Sequence, residues 1–266
     1  MSHPEIADLI RVANLAADAA RVPVLHHFRS SGLNADNKLA DGFDPVTIAD
    51  RDAETAMRAV LSAERPQDGI LGEEHGTTEG TSGLTWVLDP IDGTRAFISG
   101  APVFGILVAC YDGERPIIGL IDQPYIGERF FGGPDGALLT RDGETRPLAT
   151  RRGAELSDAT VLTTFPEVGT EKEYQGFQSV SSKARLTRYG LDCYGYALVA
   201  LGQADLVIEA GLNAYDIQGP IAVVEAAGGI VTNWRGGNVA MGGQAVAAGC
   251  PALHAKALEL LAPYAD

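Results

Sequence analysis

Apolar positions in the first part of the chain recur at helical spacing. In "MSHPEIADLIRVANLAADAA", Ser2 and Pro4 are helix-start signals, and Ile6, Leu9, Ile10, Ala13 and Ala17 follow on one face, which predicts a helix over about 4–29. A second helix is predicted over about 49–63, with Ala53, Met57, Val60 and Leu61 on one side. The period then shortens. "GILGEE" and "TWVLD" read as strands, "VFGILVACYDGERPIIGLIDQP" as a hairpin about an Asp112-Gly113 turn, and "RFFGGPDGALLTRDGETRPL" as its antiparallel continuation. Further on, strand "ATVLTTF" precedes helices over 171–182 and 192–203. Strand "DLVIEAG", a helix over 215–228, strands "IVTNW" and "QAVAAG" and a helix over 251–262 complete the pattern. Such runs predict an α+β fold of layered sheets with helices between and outside them. The region 145–157 is the candidate boundary between two halves, 1–150 and 151–266, of one compact unit.

Composition narrows the function. A chain of 266 residues with 45% apolar content can bury a sizeable core. Its 35 acidic against 20 basic residues leave a net charge of -15, a poor surface for nucleic acid or anionic membranes. An anionic small substrate then needs a locally positive site, which metal ions can supply. Glu5, Asp8 and Arg11 interrupt any signal-peptide core, and no run of 18 apolar residues spans a membrane. Cys110, Cys193 and Cys250 are scattered, which predicts reduced thiols and a cytoplasmic setting.

The chemistry concentrates where apolar elements end. In "WVLDPIDGTRAFISG" a strand runs into Asp89 and Asp92, held by the restricted backbone around Pro90. Two close carboxylates are costly without a cation between them, and Mg2+ takes oxygen ligands of the kind that Asp89, Asp92 and the Ile91 carbonyl offer. Gly93-Thr94 leads into a possible helical turn whose N–H groups would point at an anion. Three more acidic stretches share the pattern: Glu73-Glu74 after "GIL", Asp44, Thr47 and Asp50 in "DPVTIADRD", and Asp216 in "NAYDIQG". Each also has a plain reading, with Asp50 and Asp216 as helix N-caps and Glu73-Glu74 as a solvated loop. Carboxylates converging from several element ends are what a two- or three-metal site needs.

"GEE", "DPIDGT" and the later "YD" with "EAAGG", in this order and across essentially the whole chain, resemble the lithium-sensitive, Mg2+-dependent phosphatases of the inositol monophosphatase family. The resemblance implies their αβαβα sandwich, two to three Mg2+ ions per site and a homodimer. It implies Glu73, Asp89, the Ile91 carbonyl, Asp92 and Asp216 as metal ligands, with Asp44 near a third, weaker metal. It gives Gly93 and Thr94 the phosphate, and Thr94 with Asp50 the attacking water, so that Thr94, Asp50 and Glu73 are the catalytic candidates.

The sequence departs from the family in places. Tyr215 stands where a Trp is frequent, and Arg95-Ala96-Phe97 where an Asn often follows "DGT" by one residue. Asp192, two residues past Gly190, replaces the small residue usual in inositol-cleaving members. Glu209, seven residues before Asp216, matches a substrate-contacting glutamate. Two carboxylates beside the leaving group suit a cationic alcohol, and "RYGLDCYGYAL" resembles the histidinol-phosphate phosphatase branch. The plain readings are a helix N-cap for Asp192 and a surface strand end for Glu209. The expected activity is hydrolysis of L-histidinol phosphate in histidine synthesis. Inositol 1-phosphate or another sugar phosphate is the alternative, and a silent binding protein the remote one. Lesser candidates are His26-His27 as surface and core neighbours, His75 as a loop histidine, Lys38 on a covering loop, Phe104, Tyr125, Phe130 and Phe131 as sheet packing, and Cys193 as no nucleophile.

Overall fold

The computed structural model describes residues 3–31, 35–37, 45–153 and 155–266, so Lys38 and Asp44 lie outside the described residues. The first helical pattern becomes α1 (His3–His27), and Arg29, at φ 59, turns the chain away two residues after its end. The second becomes α2 (Ile48–Glu64), entered through β1 (Ala35–Asn37) and its antiparallel partner β2 (Pro45–Thr47). Those two strands were not foreseen, because three residues carry no alternation. Leu9, Val12, Ala13 and Ala16 of α1 and Ala53, Met57 and Leu61 of α2 share one buried cluster.

Eight strands follow: β3 (Gly69–Gly72), β4 (Gly76–Thr78), β5 (Thr85–Asp92), β6 (Gly105–Tyr111), β7 (Pro116–Gln123), β8 (Glu128–Gly133), β9 (Gly136–Arg141) and β10 (Glu144–Pro147). Their sheet has the order β10-β9-β8-β7-β6-β5-β3-β4, with β3 and β5 parallel. A short helix, α3 (Thr94–Ile98), leaves the end of β5. The second sheet holds β11 (Thr160–Thr163), β12 (Leu186–Tyr189), β13 (Leu206–Asn213), β14 (Ile230–Thr232) and β15 (Gly242–Ala248), in the order β12-β11-β13-β15-β14. The edge strand β12 is largely exposed and has no apolar face, so periodicity gives no sign of it.

Helices α4 (Glu171–Ser181), α5 (Asp192–Ala200), α6 (Ala214–Ala226) and α7 (Pro251–Leu261) complete the layers. Helices α1 and α2 cover one face of the large sheet, α5 and α6 lie between the sheets, and α4 and α7 close the far side. The architecture is therefore the expected αβαβα sandwich. Buried Asp122 on β7 accepts from Arg21 Nε on α1 at 2.6 Å and from Arg129 Nε on β8 at 2.8 Å, and so pins helix to sheet. No helix among the described residues is long and apolar enough to cross a membrane.

Several local expectations need correction. Thr47, not Asp50, caps α2: Asp50 sits at the third helical position, and its Oδ2 accepts from the Thr47 N–H at 2.8 Å. Asp216 likewise accepts from the N–H of the preceding cap, Asn213, at 2.6 Å. Neither His26 nor His27 enters the core, and His27 faces Asp52 at 3.6 Å. Tyr125 lies half-exposed against Phe28 and Arg29, whereas Phe104 and Phe130 are buried in the sheet packing. All three cysteines are free and buried.

Candidate active site

Residues 89 and 92 would face opposite sides of a regular strand, because side chains alternate with a period of two. Here they do not. Asp89 pairs with Leu107 and Asp92 with Gly105, so three residues of β5 span two of β6. This bulge puts both carboxylates on the face shared by Leu107, toward α5 and α6. Ile91 points the other way, into the cluster under α1 and α2. Glu73 follows the end of β3 beside β5, its N–H donating to the Leu88 carbonyl at 3.3 Å. Asp216 arrives from the first turn of α6. Carboxylate oxygens of Asp89, Asp92 and Asp216 lie within 4.8 Å of one another.

Burial, then the charges of Glu73, Asp92 and Asp216, pushes the Asp89 carboxyl well above the usual carboxylate range. Burial, then Asp192 and Asp216, does the same to Asp92, against a 2.5 Å hydrogen bond from the Cys193 N–H. Such a set is electrostatically costly alone. All its donors are hard oxygens, so the group that fits it is a divalent cation such as Mg2+.

Gly93 turns the chain out of the bulge at φ 86, in the left-handed region that favours glycine. The next residue, Thr94, opens α3. Its hydroxyl lies 3.1 Å from the Ile91 carbonyl and 3.4 Å from Asp50 Oδ1. Burial raises the Asp50 carboxyl to about 6, against two hydrogen bonds from Thr47. Thus Asp50 holds the start of α2 with one oxygen and faces Thr94 with the other.

The cleft above the acids has a volume of about 260 Å³. Glu73, Asp89, Ile91, Asp92, Gly93, Thr94, Asp192, Glu209 and Asp216 all line it, while Asp50 sits behind Thr94. Asp192 does not cap α5. It is its first residue, at φ 45, with its carboxyl against Gly93 and raised to about 6 by burial. Nor is Glu209 a surface charge. It is 6% exposed, accepts from the Thr164 N–H at 2.7 Å and from its hydroxyl at 3.0 Å, and is raised to about 7 by burial. A second bulge follows it, between Glu209 and Leu212 on β13, with Gly211 at φ 75.

Sequence reasoning missed four contributors. Buried Glu54 on α2 accepts from the Glu74 N–H at 2.6 Å and the His75 N–H at 3.2 Å, and so fixes the loop that carries Glu73. A charged residue on the Ala53–Met57 side of α2 was the available signal. Thr164 anchors Glu209 from 45 residues away, and Phe165 and Arg95 form part of the cleft wall. His75 bonds to Thr55 at 3.2 Å, on the exposed side of α2.

Residues 5–265 match the sequence model of the inositol monophosphatase family. The chain belongs to the inositol monophosphatase family. This family comprises phosphatases that are generally Mg2+-dependent. Among its members, the chloroplastic bifunctional phosphatase IMPL2 of Arabidopsis thaliana is 40% identical over 98% of this chain and 77% of that protein. A histidinol-phosphatase of Streptomyces coelicolor is 33% identical over 88% of this chain and 89% of its own. The structure of an inositol monophosphatase from Zymomonas mobilis superposes with a TM-score of 0.85 at 40% identity, covering 98% of this chain and all of that one. This family member is therefore a phosphatase by kinship, and its relatives include both histidinol- and inositol-phosphate enzymes.

Proposed function

We propose that this phosphatase hydrolyses L-histidinol phosphate, as a cytoplasmic step of histidine synthesis. The observation that carries the reading is a pair of carboxylates, half-buried Asp192 and buried Glu209, on the wall of the cleft beyond the metal-binding acids. A neutral polyol gives two such charges no counter-ion. Histidinol brings an ammonium and an imidazole, and kinship with histidinol-phosphatases supports the assignment.

Glu73, Asp89, Asp92, Asp216 and the Ile91 carbonyl would hold two or three Mg2+ ions, with Asp44 toward the third. Bound there, Mg2+ offsets the phosphate charge and supplies Lewis-acid polarisation. The N–H groups of Gly93 and Thr94 donate to phosphate oxygens. The Thr94 hydroxyl, oriented by Asp50, positions the water that attacks phosphorus. As the new P–O bond forms, the ester P–O bond breaks, and histidinol leaves with a proton. One water is consumed and inorganic phosphate released, without a phosphoenzyme.

The second reading is inositol 1-phosphate, favoured by the likeness to the Zymomonas enzyme and by Arg95, whose charge partly offsets that of Asp192. Phosphate release with Mg2+ from histidinol phosphate, inositol 1-phosphate, fructose 1,6-bisphosphate and adenosine 3',5'-bisphosphate tests both. A kcat/KM for histidinol phosphate at least about tenfold above the rest is the expected outcome, corresponding to about 1.4 kcal/mol. Equal rates sink the assignment, and turnover of any ester excludes a silent binding protein.

A further inference from the structure

The wall of the cleft holds a pair that the catalytic reading leaves unused. Arg95 follows Thr94 on α3, and its guanidinium carbon lies 4.5 Å from the centre of the Phe165 ring. Both residues line the cleft with Asp192 and Glu209. Phe165 is 40% exposed, unusual for a phenyl ring in so charged a cleft. Its backbone position is firm, because the preceding Thr164 is tied to buried Glu209 through both N–H and hydroxyl.

A guanidinium is a flat, delocalised, weakly hydrated cation that stacks on aromatic faces. An imidazolium ring shares its flatness and its charge. Resting on the reading of histidinol phosphate as substrate, we infer that Phe165 is the seat on which the imidazole ring of the leaving alcohol stacks, and that Arg95 competes for that seat. Asp192 and Glu209 then supply the negative potential that draws either cation to this wall. Arg95 lines the same wall as Asp192, so a side-chain cation already stands beside that carboxylate. For the substrate ring to stack, Arg95 swings off Phe165 toward solvent, to which it is exposed.

The test uses the Mg2+-loaded enzyme and four proteins: wild type, Phe165→Leu, Arg95→Lys and the double variant. Losing the aromatic face should lower kcat/KM for histidinol phosphate roughly 3- to 30-fold and that for inositol 1-phosphate less than about twofold. L-histidinol, which carries no phosphate, is then titrated as an inhibitor of p-nitrophenyl phosphate hydrolysis. Lysine keeps the charge of Arg95 but not its flat face, so Arg95→Lys should tighten histidinol inhibition roughly 2- to 5-fold. In the Phe165→Leu background that tightening should vanish. A wild type that prefers histidinol phosphate while Phe165→Leu leaves the substrate ratio untouched overturns the seat alone. Tightening that persists without Phe165, or fails to occur with it, overturns the competition. A wild type with no preference for histidinol phosphate overturns the substrate reading and the seat together.

Discussion

At the scale of the residue, Asp192 is the most strained member of the cleft wall. A non-glycine residue at φ 45 costs about 1 kcal/mol or more, and asparagine and aspartate tolerate this region best. Burial of its charge adds a further penalty, visible in a carboxyl raised to about 6. Asp192→Asn keeps the backbone preference and removes the charge. In chelator-treated protein at pH 8 it should therefore raise Tm, while kcat/KM for histidinol phosphate falls roughly 10- to 150-fold and that for p-nitrophenyl phosphate changes little. A parallel fall for both substrates would place Asp192 in the metal site or the fold instead. Glu209 gives a pH signature. Its carboxyl rises from 4.5 to about 7, so the folded chain keeps a proton that the unfolded chain has lost across that window. Stability of the metal-free protein should fall as pH rises from about 4.5 to 7 and level off above. Asp50 and Asp192, at about 6, act in the same direction. Glu209→Gln, which still accepts from Thr164, should make the slope shallower in melts at several pH values, and an unchanged slope would show that the titrating groups lie elsewhere.

At the scale of the element, the site rests on two bulges, one beside Asp89 and Asp92 and one after Glu209. The motif "DPIDGT" was readable because proline and glycine punctuate a strand end. That its two aspartates share a face was not, because alternation predicts the opposite and the extra residue shows only in the register against β6. The helices α1 and α2 were legible because their apolar periodicity is sustained over several turns. The strands β1, β2, β4 and β12 were not, because they are short and carry no buried stripe. The two glycines at the bulges should separate by their surroundings. A methyl group on Gly211 meets nothing within 4 Å, so Gly211→Ala should cost only left-handed strain, about 1 kcal/mol. A methyl group on Gly93 carries the same strain and also meets Asp192 at 3.0 Å, where Asp192 itself is confined. Gly93→Ala should thus lose more stability than Gly211→Ala and most of its activity, as denaturant melts and Mg2+-dependent phosphate release would show. Similar losses in both would mean that the contact with Asp192 relaxes freely.

At the scale of the whole molecule, the acids come from the large sheet and from the helix layer between the sheets. Glu73, Asp89 and Asp92 end strands of the large sheet, whereas Asp216 begins a helix packed between the two sheets. The sequence carries each ligand but not their meeting, since residues 92 and 216 are brought together only by the packing of α6. A chain of net charge -15 thus collects several of its carboxylates at one partly buried junction, where they repel in the absence of a cation. Metal binding and folding are then linked: an ion held by the folded chain alone stabilises it by RT ln(1 + [L]/Kd), about 2.7 kcal/mol at a hundredfold excess over Kd. Mg2+ should therefore raise Tm in a concentration-dependent way. Asp92→Asn separates the two contributions. Without metal it removes one charge from a crowded buried set, so the variant should melt at or above the wild-type temperature. With Mg2+ the wild type should gain stability, the variant should gain little, and its phosphate release should be abolished. The crossing of the two melting series, variant above in chelator and wild type above in Mg2+, is the expected signature. A variant that melts lower in chelator would show that Asp92, through its bond from the Cys193 N–H, serves the fold before it serves the ion.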